Sequence, residues 1–347
     1  MGIFRNIING SILFLGMMGA LESGACTLLS DKSVAQKSYH VGINQIVEHP
    51  ALNRTVLGIR EGLRRRGFVD GQNLTFTIDS AQGNPGLAVQ ISNKFLSQFE
   101  KGKLDVAVGV GTVSALTLSK HAAKRHLPVV FSSITFPEKS GIVPCVKHPG
   151  AFITGVSNYV SIDAQLAIFR RIQPNLKRLG ILYNVGEINS VQLVDVLARA
   201  CKKIGITLVP QSVTRTADVP QNATKLVQDC DAVFISNDNT ALSSLKSIVK
   251  VATKKGIPVY VSDTDAVVQG AVAALGPNQY EIGIQTGEKI AQILNHGPGT
   301  EIPVSFPKNV ELVLNEAAAK KIGMTFPNDL KQQAAQSLSD PQKENNS

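Results

Sequence analysis

Residues able to recognise a small charged molecule recur in this sequence at one kind of place, just after short apolar runs. Asn44 and Gln45 close the first such run, Gln82 lies beyond the second, Gly111 and Thr112 follow the third, and Ser132, Ser133 and Thr135 end the fourth. Later runs end at Tyr183 and Asn184 and at Asn237 and Asn239, and the same places carry three carboxylates, Glu187, Asp238 and Asp263. Hydroxyls and free helix N–H groups suit a carboxylate, whereas a buried Asp or Glu suits an ammonium, so together they describe an amino-acid ligand. Each acid also lies near a helix start, where capping alone would account for it. Tyr183, Phe136 and Tyr159 could stack on a flat side chain or simply fill the core. His49, after the first cleft loop, reads first as a structural residue and second as a ligand contact.

Other chemistry finds less support. Gly109-Val110-Gly111 invites a dinucleotide reading, but Ser114 stands where the third glycine of that fingerprint belongs. The alternative is that Gly111 and Thr112 open a helix whose N–H groups hold any anion. There is no Gly-x-Ser-x-Gly elbow and no His-Glu-x-x-His, and His121 and His126 read as surface residues. No cofactor and no metal are expected.

The elements that must position these residues alternate. Strands are expected at 39–43, 74–78, 105–110 and 128–131, with helices at 50–66, 87–99 and 113–124 between them. Connections this short imply right-handed parallel crossovers, which bring all four polar strand ends to one sheet edge, where open α/β sheets bind ligands. A second series follows: strands at 179–183, 207–210, 232–235 and 258–261, and helices at 191–203, 219–228 and 241–255. Asp105-Val106-Ala107-Val108 matches Asp231-Ala232-Val233-Phe234, and Leu127-Pro128-Val129-Val130 matches Ile257-Pro258-Val259-Tyr260. The expected fold class is therefore α/β, with two similar three-layer lobes of parallel sheet joined by a hinge. Lobe one is expected over 39–155 and 284–330 and lobe two over 156–283; a helix at 280–294 follows the second series, extended pieces at 302–304 and 310–314 and a short helix at 316–321 return to lobe one, and 331–347 forms a disordered tail.

The 347 residues are 43% hydrophobic and 18% charged, which excludes a disordered chain or a membrane bundle, and their number suits two lobes. Arg5 precedes an apolar run over 7–21, too short to span a bilayer, then Ser23-Gly24-Ala25 before Cys26. This pattern predicts a signal peptide over 1–25, a linker over 26–38 and a periplasmic or otherwise extracytoplasmic address. Two endings stand: a lipobox-like one that lipidates Cys26, and plain cleavage after Ala25. Cys145, Cys201 and Cys230 are too scattered for a disulfide framework, although a Cys201–Cys230 bridge is open. The net charge of +9 is spread over helix surfaces, as at Arg64-Arg65-Arg66, without aromatic interleaving, so nucleic acid is not an expected partner.

Particular motifs carry a resemblance. Ile43-Asn44-Gln45 with His49-Pro50-Ala51-Leu52, Ala81-Gln82-Gly83, Gly111-Thr112, Thr154-Gly155-Val156-Ser157, Tyr183-Asn184 with Glu187 and Asn189-Ser190, Asp238-Asn239 and Ser262-Asp263 together resemble the substrate-binding proteins of ABC importers of the tryptophan/tyrosine type (DUF534). The resemblance covers about residues 39–327. It implies a type I-like periplasmic-binding-protein fold that closes on an amino acid, often aromatic, works as a monomer, is no enzyme, and delivers its ligand to a permease driven by a cytoplasmic ATPase. A membrane would be met only through a lipid on Cys26. By motif, Gln45, Gln82, Gly111, Thr112 and Ser133 would come from lobe one and Ser157, Glu187, Asn189, Asp238 and Asp263 would face them; with the strand-end residues Asn44, Ser132, Thr135 and Tyr183 these form the expected ligand-binding set. Where the family usually has Thr-Asp-Pro, this chain has Thr135-Phe136-Pro137, a ring in place of a carboxylate. A ligand-sensing receptor of the same fold, or a secreted enzyme, are the alternatives.

Overall fold

The structure, a computed structural model, describes residues 37–339. The expected signal, linker start and Cys26 lie outside the described residues. The first lobe begins with β1 (Tyr39–Gln45), α1 (Pro50–Arg65), β2 (Leu74–Ser80), α2 (Pro85–Glu100), β3 (Val106–Val110), α3 (Thr112–Arg125), β4 (Val129–Ile134) and β5 (Ile153–Ser157). Its five strands are all parallel in the order β2-β1-β3-β4-β5. Every residue of β3, β4 and β5 is buried, the pattern of strands covered on both faces.

The chain then forms α4 (Ile162–Ile172), β6 (Arg178–Asn184), α5 (Ile188–Lys203), β7 (Thr207–Val213), α6 (Val219–Leu226), β8 (Ala232–Ile235), α7 (Asn239–Ser243), α8 (Leu245–Lys254), β9 (Val259–Val261) and β10 (Ala273–Pro277). It returns to lobe one as α9 (Gln279–His296), and ends with β11 (Val310–Asn315), α10 (Glu316–Lys321), α11 (Asn328–Gln333) and β12 (Gln336–Leu338). The second sheet has seven strands in the order β12-β11-β10-β9-β8-β6-β7, parallel except where β11 runs against β10. Separate apolar clusters cover its two faces, and a third fills lobe one. The result is the type I-like periplasmic-binding-protein architecture.

The return of α9 explains an otherwise odd feature of α1. A Cβ on Gly58 would meet the Tyr280 carbonyl and one on Gly62 the Ile284 carbonyl, while Gly283 and Gly287 stand as close to the Thr55 and Ile59 carbonyls. Four glycines thus let two helix backbones touch and fix the helix that leaves lobe two onto lobe one.

Several expectations are corrected. The sequence places residues 310–321 in lobe one, yet β11 pairs with β10 (Ala273 opposite Leu314, Pro277 opposite Val310) and α10 follows it in lobe two. The alternation of 310–314 specifies a strand but not a sheet, and β10, which was not anticipated, supplies the open edge that β11 covers. Residues 331–339 are not a loose tail: α11 and β12 dock on the same edge, with Val313 opposite Gln336. The helix expected over 241–255 is two, broken at Ser244. Cys201 and Cys230 are free thiols in different apolar clusters, and burial pushes each up to about 11.

Candidate functional site

The C-terminal ends of both parallel sheets face each other, and the lobes close on a small buried pocket. Lobe one offers the start of α3. Gly111 has φ +90°, a conformation that glycine adopts freely, and a Cβ there would collide with Ile46. Beside it Thr112 begins the helix with its first N–H groups free of intrahelical partners. Ser133, held at φ +58°, donates to Gln279 Oε1 at 2.9 Å and lies 3.1 Å from Thr55 Oγ1, which reaches the same Gln279 oxygen. A non-glycine residue in this region is strained, and Ser133 is held there by three elements, β4, α1 and α9.

Lobe two offers acceptors. Asp263 is 1% exposed; its Oδ1 accepts the Asp265 N–H at 3.0 Å, and Oδ2 has no partner among the described residues. Burial first, and the Asp265 charge second, push its carboxyl up to about 8. Asn189 donates to the Asn237 carbonyl at 2.8 Å, which leaves its Oδ1 buried and unpartnered. Asp263, Asn189, Gly111, Thr112 and Ser133 line one void with Asn158, Asn237 and Gln279; it measures about 20 Å³, room for roughly one water. Two buried acceptors without donors are what an ammonium with three N–H groups would satisfy.

The other two acids are already satisfied. Glu187 accepts from Asn239 N–H (3.0 Å), Asn239 Nδ2 (2.7 Å), Thr240 N–H (3.0 Å) and Thr240 Oγ1 (3.0 Å), so it caps α7. Burial and the neighbouring Asp238 push it up to about 7. Asp238 accepts the Asn184 and Ala241 N–H groups at 2.7 and 2.8 Å, and its fully buried carboxyl is likewise raised by desolvation. Of the three expected carboxylates, Asp263 lines the small pocket with an oxygen that has no partner among the described residues, whereas Glu187 borders the neighbouring void with both oxygens already bonded.

Lobe-one polar residues divide in the same way. Asn44 donates to the Ala88 carbonyl and Ser92 and accepts from Ser114, inside the lobe. Gln45 donates to the Val47 carbonyl and Asn53, bracing the turn before α1. Ser132 bonds Thr286 at 2.7 Å, Thr135 donates to Asn158 at 3.3 Å, and Ser157 holds the crossing between lobes through the Tyr159 N–H. Tyr183 is half-buried on β6 and lines neither this pocket nor its neighbour. Phe136 lies tilted against Tyr159, ring centroids 5.1 Å apart, and packs against the lobe-two core, so the ring at the family's acid position serves hinge packing. Asn158 and Gln279 are pocket residues that were not anticipated; Gln279 follows β10, the strand the sequence concealed.

The second void, about 830 Å³, lies beside the pocket between the β1–α1, β2–α2, β6–α5 and β7–α6 turns, and Gln82 and Glu187 are among its walls. The divider is Asn239, whose Oδ1 lies 3.3 Å from His49 Nε2 across the lobes. Burial pushes His49 down to about 4, partly offset by this bond. Arg54 with Asp265 (3.6 Å) and Gln192 with the Lys139 carbonyl (2.9 Å) also tie the lobes together. Among the described residues no group of His, Cys, Asp or Glu is arranged to hold a metal, and no helix is long and apolar enough to cross a membrane.

Comparison with known proteins places this geometry in context. A family model described as ABC transporter substrate binding protein matches residues 40–338. A tyrosine-binding protein of Clostridioides difficile is 30% identical over 322 residues, 90% of this chain and 92% of that one. The crystal structure of an ABC domain from Streptococcus pneumoniae in complex with L-Trp has TM-score 0.81 at 28% identity, covering 87% of this chain and all of that one. A ligand-free, open substrate-binding protein of Clostridium difficile with adhesive properties, 30% identical with the same coverage, has TM-score 0.65. At near-equal identity, the better agreement with the ligand-bound protein matches the closed cleft seen here.

Proposed function

We propose that this chain, which belongs to the ABC transporter substrate-binding protein family, captures a free amino acid, aromatic ones foremost, between its lobes outside the cytoplasm. It then presents the closed form to a permease and its cytoplasmic ATPase. Family relatives are solute-binding proteins and not enzymes. The observation that carries the ligand class is the pairing, within one buried pocket, of Asp263 Oδ2 and Asn189 Oδ1, unpartnered among the described residues, with the open N–H groups of the α3 N-terminus. The two oxygens suit an α-ammonium and the N–H groups an α-carboxylate, and only a molecule bearing both satisfies both lobes and favours closure. The tyrosine-binding and L-Trp-bound relatives support an aromatic side chain.

A thermal-shift screen over the amino acids, nucleosides and sugars tests this. A ligand at 100 times its Kd stabilises by about 2.7 kcal/mol, so Tyr, Trp or Phe should raise the melting temperature visibly. A shift with a sugar or nucleoside, and none with any amino acid, would refute the assignment.

A further inference from the structure

Lobe two carries a second concave surface, which the amino-acid reading does not use. It is a groove of about 460 Å³ between α8, the 3-10 turn Thr264–Gln269 and α10. Asn315, in its wall, donates its N–H to the Val272 carbonyl just before β10 begins, so the groove opens at the end of the sheet away from the cleft.

The groove is preformed. Gly270 has φ +105°, and a Cβ there would stand 2.8 Å from Val249 Cγ1, so the turn lies directly on α8. Asn315 ties the other wall: its Nδ2 donates to the Val267 carbonyl at 3.1 Å and its Oδ1 accepts the Ala318 N–H at 2.8 Å. A rigid groove binds without a large ordering cost.

Its charge is one-sided. Lys246, Lys250 and Lys254 stand at i, i+4 and i+8 on α8, Lys321 comes from α10, and among the described residues no Asp or Glu lines the groove. All four lysines are exposed, and none has a hydrogen bond or ion pair among the described residues. Other exposed cations are answered within the chain: Glu61 takes Arg64 and Arg65, Asp231 takes Arg178, and Asp329 takes Arg171. Like charges at i, i+4 destabilise a helix, so the stripe is a cost to the free protein that an anionic partner relieves. Val268, 52% exposed, places apolar surface among the lysines.

We infer that this groove docks an acidic segment of a partner protein, a run of Asp or Glu interrupted by an apolar residue that covers Val268. Charge complementarity and the apolar wall select this occupant together. A second copy of the chain carries the same net charge of +9 and is repelled. A bilayer surface meets the lysines without entering the groove, and a bare polyanion leaves Val268 in water.

Fluorescence anisotropy of a labelled peptide of alternating Glu and Leu, titrated with the purified protein, tests the inference. The peptide should bind, its Gln–Leu counterpart far less, and affinity should fall as salt is raised. The triple variant Lys246→Gln, Lys250→Gln, Lys254→Gln should bind about tenfold more weakly, the sum of three exposed charge pairs, and Val268→Ser several-fold more weakly. A Lys202→Gln, Lys203→Gln variant, altered at the end of α5, should bind as the wild type does. Melting curves verify folding, and neutralising the α8 stripe should not lower the melting temperature. No binding of the peptide, or equal binding by the wild type and the groove variants, overturns the inference. So does a wild type that binds inorganic triphosphate or phosphatidylglycerol vesicles through these lysines but not the peptide, since the groove then serves another anion.

Discussion

The two lobes share a plan and differ in how complete their cleft faces are. In lobe one the polar side chains at the sheet edge bond one another: Asn44 to Ser114, Ser132 to Thr286, Ser133 to Gln279. What remains for a ligand is backbone, the open N–H groups of α3. In lobe two Asp263 Oδ2, Asn189 Oδ1 and Ser236 Oγ are buried without partners among the described residues. A buried acceptor left unsatisfied costs about 1–3 kcal/mol, so lobe two holds a deficit that a donor-rich ligand relieves, whereas lobe one is a finished, rigid receiver. Selectivity for the ammonium end should therefore reside in lobe two, and placement of the carboxylate in lobe one.

Substitutions can break this asymmetry. Asp263→Asn should have the largest effect: removing one partner of a desolvated charge pair costs about 2–5 kcal/mol, or ~30-fold or more in Kd by calorimetry. The same change should stabilise the free protein above pH 8, because the native carboxyl binds its proton more tightly than the unfolded one and stability falls as pH rises from the ordinary Asp range towards 8. A lower melting temperature for Asp263→Asn would show that the carboxylate is satisfied within the fold. Glu187→Gln should act the opposite way, since all four of its contacts are donors to a carboxylate: a loss of about 1–3 kcal/mol in denaturant unfolding with a smaller change in affinity. That loss should grow below about pH 7, where native Glu187 takes up a proton before the unfolded chain does and the wild type, but not the variant, gains stability. Smallest are the lobe-one changes. Ser133→Ala keeps the strained backbone and removes the bond to Gln279, for about 1 kcal/mol, while Ser133→Gly relieves the strain and should be nearly neutral in stability. Equal effects of the two would mean that the backbone at Ser133 carries no strain.

Much of the architecture is legible in the sequence because strands buried on both faces read as apolar runs such as Val129-Val130-Phe131, and their polar ends mark the cleft side. β10 is not legible: Ala273-Ala274-Leu275-Gly276-Pro277 is short, weakly β-forming and ends in Gly-Pro, so nothing in the sequence draws its partner β11 to lobe two or marks Gln279 beyond it. Within the site, strand-end position identifies which residues come near the cleft but not which oxygen is already bonded. Asn44 and Asn189 are chemically alike, yet one is enclosed by α2 and α3 and the other keeps an oxygen without a partner among the described residues, a difference decided by packing across 44–70 residues of sequence. The spacing of Glu187, Asp238 and Asp263 gives no hint that α7 consumes the first two.

The most direct test is calorimetric titration of the protein with L-Tyr and L-Trp at pH 7 in two buffers of different ionisation enthalpy. With the Asp263 carboxyl raised to about 8, most of the free protein holds that proton, and an incoming ammonium must displace it. One ligand should bind per chain with release of about one proton, and affinity should climb as pH rises towards 8. Binding that releases no proton, with an affinity flat from pH 6 to pH 8, would mean that Asp263 does not receive the ammonium.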